Sequence, residues 1–183
     1  STQEELKKAK VLIIGAGGLG CPILQYLAAA GVGKIGLIDD DVVDISNLHR
    51  QILYSENDTG RKKVEVAVEK LAILNPYVEI TPYSARLTTE NANSLFLPYD
   101  IIVDGSDNFP TRYLVDAVCA TLKKPLVFGS IFKFEGQLSV FHYQGASGYS
   151  NLFPEPPADD EVPNCSDVGV IGVLPGIIGS YMA

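Results

Sequence analysis

A run of four apolar residues, Val11 to Ile14, leads straight into Gly15-Ala16-Gly17-Gly18-Leu19-Gly20, and helical spacing at Leu19, Ile23, Leu24, Leu27 and Ala28 follows at once. Only a buried strand, a tight turn and a helix fit that order. Gly31-Val32-Gly33 ends the helix, and Lys34 to Ile38 forms a second buried strand running into Asp39-Asp40-Asp41. A βαβ unit thus closes within about thirty residues, as a right-handed parallel crossover requires. The expected fold is α/β, a Rossmann-like three-layer sandwich with a mostly parallel sheet.

Gly15, Gly17 and Gly20 hold the G-x-G-x-x-G spacing, which offers backbone N–H groups and a helix N-terminus to a phosphate. Asp39 lies nineteen residues beyond Gly20, at the end of the second strand, where a carboxylate can accept both ribose hydroxyls. Together they predict an adenine nucleotide without saying which. An NAD-dependent oxidoreductase of Rossmann type would show the same residues.

Further along, Asp41 to Thr59 is polar, irregular and longer than the links usual in such folds, which marks it as a candidate functional loop. The next helix carries Val64, Ala67, Val68, Leu71 and Leu74 on one face and ends before Pro76. Val78 to Tyr83 reads as a strand, Thr89 to Leu97 as a short helix, and Ile101 to Val103 as a buried strand ending in Asp104. Gly105 to Pro110 is a second βα turn, followed by a helix with apolar Leu114, Ala117, Val118 and Leu122. After the strand Leu126 to Phe128, Ile131 to Tyr143 holds a turn at Glu135-Gly136 and then alternates, so antiparallel strands are expected to extend the sheet. Ala146 to Asn164 reads as a crossing loop, and Cys165 to Ala183 as leading into a final glycine-rich helix.

A length of 183 residues with 46% apolar content fits a single domain, 1–183. Both ends look cut: Ser1 to Lys10 is a polar helix leading directly into the first strand, and Pro175 to Ala183 stops without a C-cap. A net charge of −8 leaves no basic stripe for nucleic acid, and no apolar run approaches the roughly 20 residues of a membrane span. Cys21, Cys119 and Cys165 are scattered and odd in number, against a disulfide framework and in favour of a reducing cytoplasm.

The long loop holds Asn47-Leu48-His49-Arg50-Gln51, and Lys63 opens the next helix on the face opposite its apolar stripe. An Arg fork and a compact Lys charge are what a triphosphate undergoing displacement at its α-phosphorus needs. A nicotinamide would want an apolar slot instead. Asp107, past the fourth parallel strand, stands where open sheets bind ligands and where a carboxylate can hold Mg²⁺. Either Asp107 or Asn108 can also cap the following helix, and the two can divide the roles. Asp104 and Arg112 would buttress the turn.

These segments, with Asp39-x-Asp41, Gly60-Arg61-Lys62-Lys63-Val64, Asp107-Asn108 with Arg112, and Glu135-Gly136-Gln137, resemble the ordered motifs of the ubiquitin-activating-enzyme-like superfamily. The pattern is most similar to its adenylyltransferases of the molybdopterin-synthase and thiamine pathways, and covers essentially the whole chain. The resemblance implies ATP-dependent adenylation of the C-terminal Gly-Gly carboxylate of a small ubiquitin-like sulfur-carrier protein, with pyrophosphate released. Carried onto this chain, Gly18 and Asp39 would contact the nucleotide, Asn47, Arg50 and Lys63 would surround the phosphates, and Asp107 would bind Mg²⁺. Asp41, Gln51 and Asn108 belong to the same nucleotide-binding set. A nucleotide-binding module without turnover is the remaining alternative.

Three departures accompany the resemblance. Members of this branch commonly carry two Cys-x-x-Cys pairs for zinc, whereas the first pair's place here reads Gly148-Tyr149-Ser150-Asn151. Zinc is not expected, since a structural site needs four ligands. In the family an upstream arginine segment reaches the partner subunit; it would fall before Ser1, and a homodimer remains the expectation. Cys165 occupies a place where relatives can carry a cysteine for sulfur transfer or a thioester; Cys21 and Cys119 sit on helices, and His49 and His142 read as a motif filler and a strand residue.

Overall fold

A computed structural model describes residues 2–157 and 169–183. Six strands form one sheet in the order β3-β2-β1-β4-β5-β6. They are β1 (Lys10–Ile14), β2 (Lys34–Ile38), β3 (Glu79–Tyr83), β4 (Ile101–Asp104), β5 (Leu126–Phe132) and β6 (Glu135–Phe141). The first five run parallel and β6 returns antiparallel along β5. The apolar runs of β1, β2 and β4 lie in the middle, buried on both faces as parallel strands require. β3 carries Pro82 and takes an edge, where a missing N–H is tolerated.

Period-two alternation splits β1 between two cores. Val11 and Ile13 join the side chains of α2 (Gly20–Ala30) and α3 (Lys63–Leu74), where Ile23, Leu24 and Leu71 are fully buried. Leu12 and Ile14 face the opposite layer, with Phe96 of α4 (Ala92–Phe96), Val115 of α5 (Phe109–Leu122) and Tyr99 from the link after α4. The C-terminal helix (Leu174–Met182), here α7, packs on α2 and on β5 and β6. A short α1 (Thr2–Lys8) precedes β1, and a single turn α6 (Tyr149–Leu152) closes over α5. The expected three-layer sandwich is present.

Four local expectations differ. The buried side of α3 is Lys63, Val64, Val66, Ala67 and Leu71, while Val68 is half-buried and Leu74 exposed, so the stripe is rotated toward the site. The short helix spans Ala92–Phe96 rather than beginning at Thr89, because Thr88 and Asn91 form a side-chain turn ahead of it. One antiparallel strand, not several, extends the sheet among the described residues. The hairpin turns at Lys133-Phe134, not at Glu135-Gly136. Gly136 is needed for another reason: a Cβ there would lie 2.4 Å from Ile178 of α7, so the glycine admits the helix against the strand.

Candidate functional site

The carboxyl ends of β1, β2, β3 and β4 open on one cleft of about 530 Å³. Its floor is the glycine turn. Gly15 has φ of 93° and its N–H donates to Ile38 O at 2.9 Å, a conformation that favours glycine. Gly17 and Gly18 line the cleft, where the first N–H groups of α2 have no partner within the helix. Gly20 lies outside the lining; a Cβ there would meet Gly15 O at 2.0 Å, so its role is to bring helix and turn together. Gly18 also makes room for α7, since an added Cβ would be 3.1 Å from Pro175. The same terminal segment crosses the loop after β2, with Gly172 facing His49 O at 2.7 Å and Gly179 facing Leu19 O at 2.6 Å by the same measure.

Asp39 is held by the backbone. One carboxylate oxygen accepts Ala16 N–H at 2.7 Å and the other Asp41 N–H at 2.8 Å. A carboxylate has about four acceptor positions, so two remain for ribose hydroxyls. Burial raises its pKa, against the lowering effect of the Ala16 bond and of Lys63.

The long loop is ordered by its own turns. Asp44 caps Ile45–Asn47 by accepting from Ser46 N–H at 2.8 Å, and Tyr54 donates to Ala16 O at 2.8 Å from a buried position. Arg50 donates to the Asn47 carboxamide oxygen at 2.6 Å, which aims the guanidinium at the cleft that both residues line. Gln51 is buried beside Gly17, its carboxamide oxygen enclosed without a partner among the described residues. His49 meets Ser46 O at 3.0 Å.

Further on, Asp58 anchors the loop's end. Ser55 donates to it through its N–H at 2.8 Å and its hydroxyl at 2.7 Å, and Lys70 of α3 pairs with the same oxygen. Burial alone would raise its pKa, but the bonds from Lys70 and Ser55 outweigh that and hold it at about 2. Because the folded value is depressed, the stabilisation is complete above the unfolded value near 4 and is lost as pH falls through about 2. Asp58→Asn should cost about 1 kcal/mol at pH 7, a deficit that narrows as pH is lowered from 4 toward 2. Urea unfolding of both proteins across that range checks this; a deficit constant with pH would disprove the assignment.

Lys63 is expected on the face of α3 opposite its apolar stripe, at the mouth of the site; it does line the cleft, but it is buried together with that stripe. Its side chain is only 5% exposed and its ammonium bonds Asp41 at 2.9 Å, while Asp41 itself is 67% exposed. Residues 61 to 63 return beside 41 to 43, with Lys63 N–H bonded to Asp41 O, so the helix starts by sinking its first side chain into the cleft wall. Of Asp107 and Asn108, the helix cap falls to Asn108. Asn108 caps α5, accepting from Thr111 N–H at 2.9 Å. Asp107 is exposed at the cleft, with no hydrogen bond or ion pair among the described residues.

Behind the turn, Asp104 is 1% exposed and accepts Ser106 N–H at 2.9 Å, and burial raises its pKa. Arg112 is buried with its guanidinium 4.9 Å from the Phe109 ring centre and 5.6 Å from that of Phe128. It lines the cleft directly, as does Ser106. Arg86, after β3, is a cleft residue that the sequence reading passes over. Its signal was position alone, since ligands collect where parallel strands end.

Cys165 lies outside the described residues. Cys21 and Cys119 are buried, and burial pushes the Cys21 thiol up to about 12 and that of Cys119 up as well, so neither is a ready nucleophile. His142 lies just past β6 rather than within it and meets Asp116 at 2.7 Å. Asp116 also accepts the N–H groups of Tyr149 and Ser150 at 2.7 and 3.0 Å, pinning α6.

A doubly wound sheet with its cleft at the glycine turn and the ends of β2 and β4 defines a Rossmann-type α/β domain. The chain belongs to the ThiF family, whose model matches residues 1–183. It is 53% identical to the sulfur carrier protein adenylyltransferase of Thermus thermophilus, over 99% of this chain and 69% of that one. It is 52% identical to the adenylyltransferase and sulfurtransferase MOCS3 of Xenopus laevis, over 99% of this chain but only 40% of that one. The chain thus spans well under half of that longer relative. The E. coli MccB structure with MccA-N7isoASN shares the fold, with a TM-score of 0.84 over 98% of this chain and 56% of that one at 24% identity. No helix among the described residues is long and apolar enough to cross a membrane.

Proposed function

We propose that this domain uses ATP and Mg²⁺ to adenylate the C-terminal Gly-Gly carboxylate of a small ubiquitin-like sulfur-carrier protein, releasing pyrophosphate. The observation that carries this is the meeting of Asp39, Arg50, Lys63 and Asp107 with the glycine turn on one cleft. Relatives named for sulfur-carrier adenylation support the substrate class. In this reading Asp39 holds the ribose hydroxyls and the glycine turn carries phosphate oxygens on its N–H groups.

The carrier carboxylate attacks the α-phosphorus, a P–O bond forms, and the bond to the departing pyrophosphate breaks. Negative charge then grows on the leaving group. Arg50, aimed by Asn47, and Lys63, aimed by Asp41, are preorganised to receive it, which costs no reorganisation at the moment of reaction. One bond to Asp41 leaves two ammonium protons of Lys63 for phosphate. Mg²⁺, when bound, neutralises phosphate charge, and the exposed Asp107 carboxylate offers the hard oxygen ligand it takes. The nucleophile comes with the substrate, so the step needs orientation rather than an enzymic Ser, Cys or His.

The reading includes a homodimer, for which Tyr26 and Ile177 supply exposed apolar surface where α2 meets α7. It places the protein in the cytoplasm, assigns no nucleic-acid or membrane partner and requires no zinc; any sulfur-transfer or thioester role of Cys165 follows adenylation.

Thermal unfolding separates this from hydride transfer. Ligand at a hundred times its dissociation constant stabilises by about 2.7 kcal/mol, so ATP with Mg²⁺ should raise Tm by roughly 5 to 10 °C and NAD⁺ should do little. A clear rise with NAD⁺ and none with ATP would favour the oxidoreductase.

A further inference from the structure

We propose that Arg86 recognises the nucleobase, its guanidinium lying over the purine face above an apolar floor made by Ile14, Ile38 and Leu87. The inference rests on the nucleotide reading above and deepens it. The order of strands sets the order of the ligand's parts. The glycine turn follows β1 and Asp107 follows β4, while Asp39 follows β2, so phosphate and ribose positions run outward along the sheet. β3 is the next strand out and ends this series, one strand spacing of about 4.8 Å beyond Asp39. β2 and β3 stay in register to the pair Ile38 and Tyr83, and Asp39 N–H donates to Tyr83 O at 3.2 Å. Whatever the chain places after Tyr83 therefore stands at the base end of the cleft.

Two kinds of group are found there. Ile14, Ile38 and Leu87 line the cleft and are between 2% and 9% exposed, apolar groups of the sort a purine packs on. Arg86 is exposed, and its side chain has no hydrogen bond or ion pair among the described residues. Its backbone is fixed: Asn91 donates to Arg86 O at 2.9 Å and accepts Thr88 N–H at 2.8 Å, so the turn that carries the guanidinium is stapled on its far side. A planar cation without a partner among the described residues, carried just past the outermost strand of a cleft that apolar residues also line, is suited to stacking on a neutral ring.

Calorimetric titration of the full chain with ATP, AMP and ribose 5-triphosphate, each with Mg²⁺, tests this. Arg86→Ala should weaken ATP and AMP by about three- to tenfold and leave ribose 5-triphosphate unchanged. Arg86→Lys should remain weakened, because an ammonium keeps the charge without the planar face. Equal weakening for ribose 5-triphosphate, or full rescue by Lys, would make Arg86 a phosphate contact and overturn the proposal, as would ATP binding unchanged by Arg86→Ala. Failure of the unaltered chain to bind ATP at all would instead remove the nucleotide reading, and this proposal with it.

Discussion

Exchange of labelled pyrophosphate into ATP, measured with the carrier present, should fall by roughly 100- to 1000-fold in Asp107→Ala and by a similar factor in Arg50→Ala. The expectation follows from where each charge is held. Arg50 is tied to Asn47 before any ligand arrives, and Asp107 faces the cleft without a competing partner among the described residues. Both would act on charge that grows only as pyrophosphate departs, so their loss should lower the rate far more than it weakens ATP binding. Removing the carrier's final glycines should abolish exchange, since they bear the attacking carboxylate. Cys165→Ala should leave exchange nearly intact. If Asp107→Ala exchanges as well as the unaltered protein, the metal assignment is wrong, and if exchange needs Cys165, the order of steps is wrong.

The second large effect is on folding. Gly20→Ala would place a methyl group 2.0 Å from Gly15 O, a backbone atom that cannot swing aside. Helix α2 would have to lift from the turn, at a cost of about 3 kcal/mol or more. Gly17→Ala meets only the far end of Gln51 at 3.5 Å, an ordinary contact, and should be nearly neutral for stability. Parallel denaturant titrations of the two variants measure the contrast, and equal midpoints would show that the turn adapts more freely than its geometry indicates.

That contrast also shows how far the sequence could be read. Strand β1, the glycine turn, α2 and Asp39 were legible because each is specified by near neighbours in the chain and by a period. Asn108 as a helix cap and Asp107 as the residue beside it followed from local grammar too. The burial of Lys63 was not legible because a long aliphatic stem with a charged end can be buried when a carboxylate waits for it, and nothing within α3 announces Asp41. Gly136 looked like a turn residue, but the reason for it is Ile178, which arrives from α7. Arg86 was passed over since an arginine in a polar loop reads as solvated until the strand order places it at the cleft. The junction of Asp116 with His142 and the N–H groups of α6 is likewise a long-range arrangement with no periodic trace.

The seating of α7 on the glycine turn has a consequence for how the molecule is made. Gly18 and Pro175 lie far apart in the sequence, as do Leu19 and Gly179. A ribosome delivers the turn well before the residues that cover it. Strands β1 and β2 can pair early, yet the turn lacks one wall until α7 has been synthesised and has docked across β5 and β6. Nascent chains stalled before Leu174 should therefore carry the parallel βαβ unit with an unfinished turn, and competence to hold phosphate would appear with the arrival of α7 rather than of the glycines themselves.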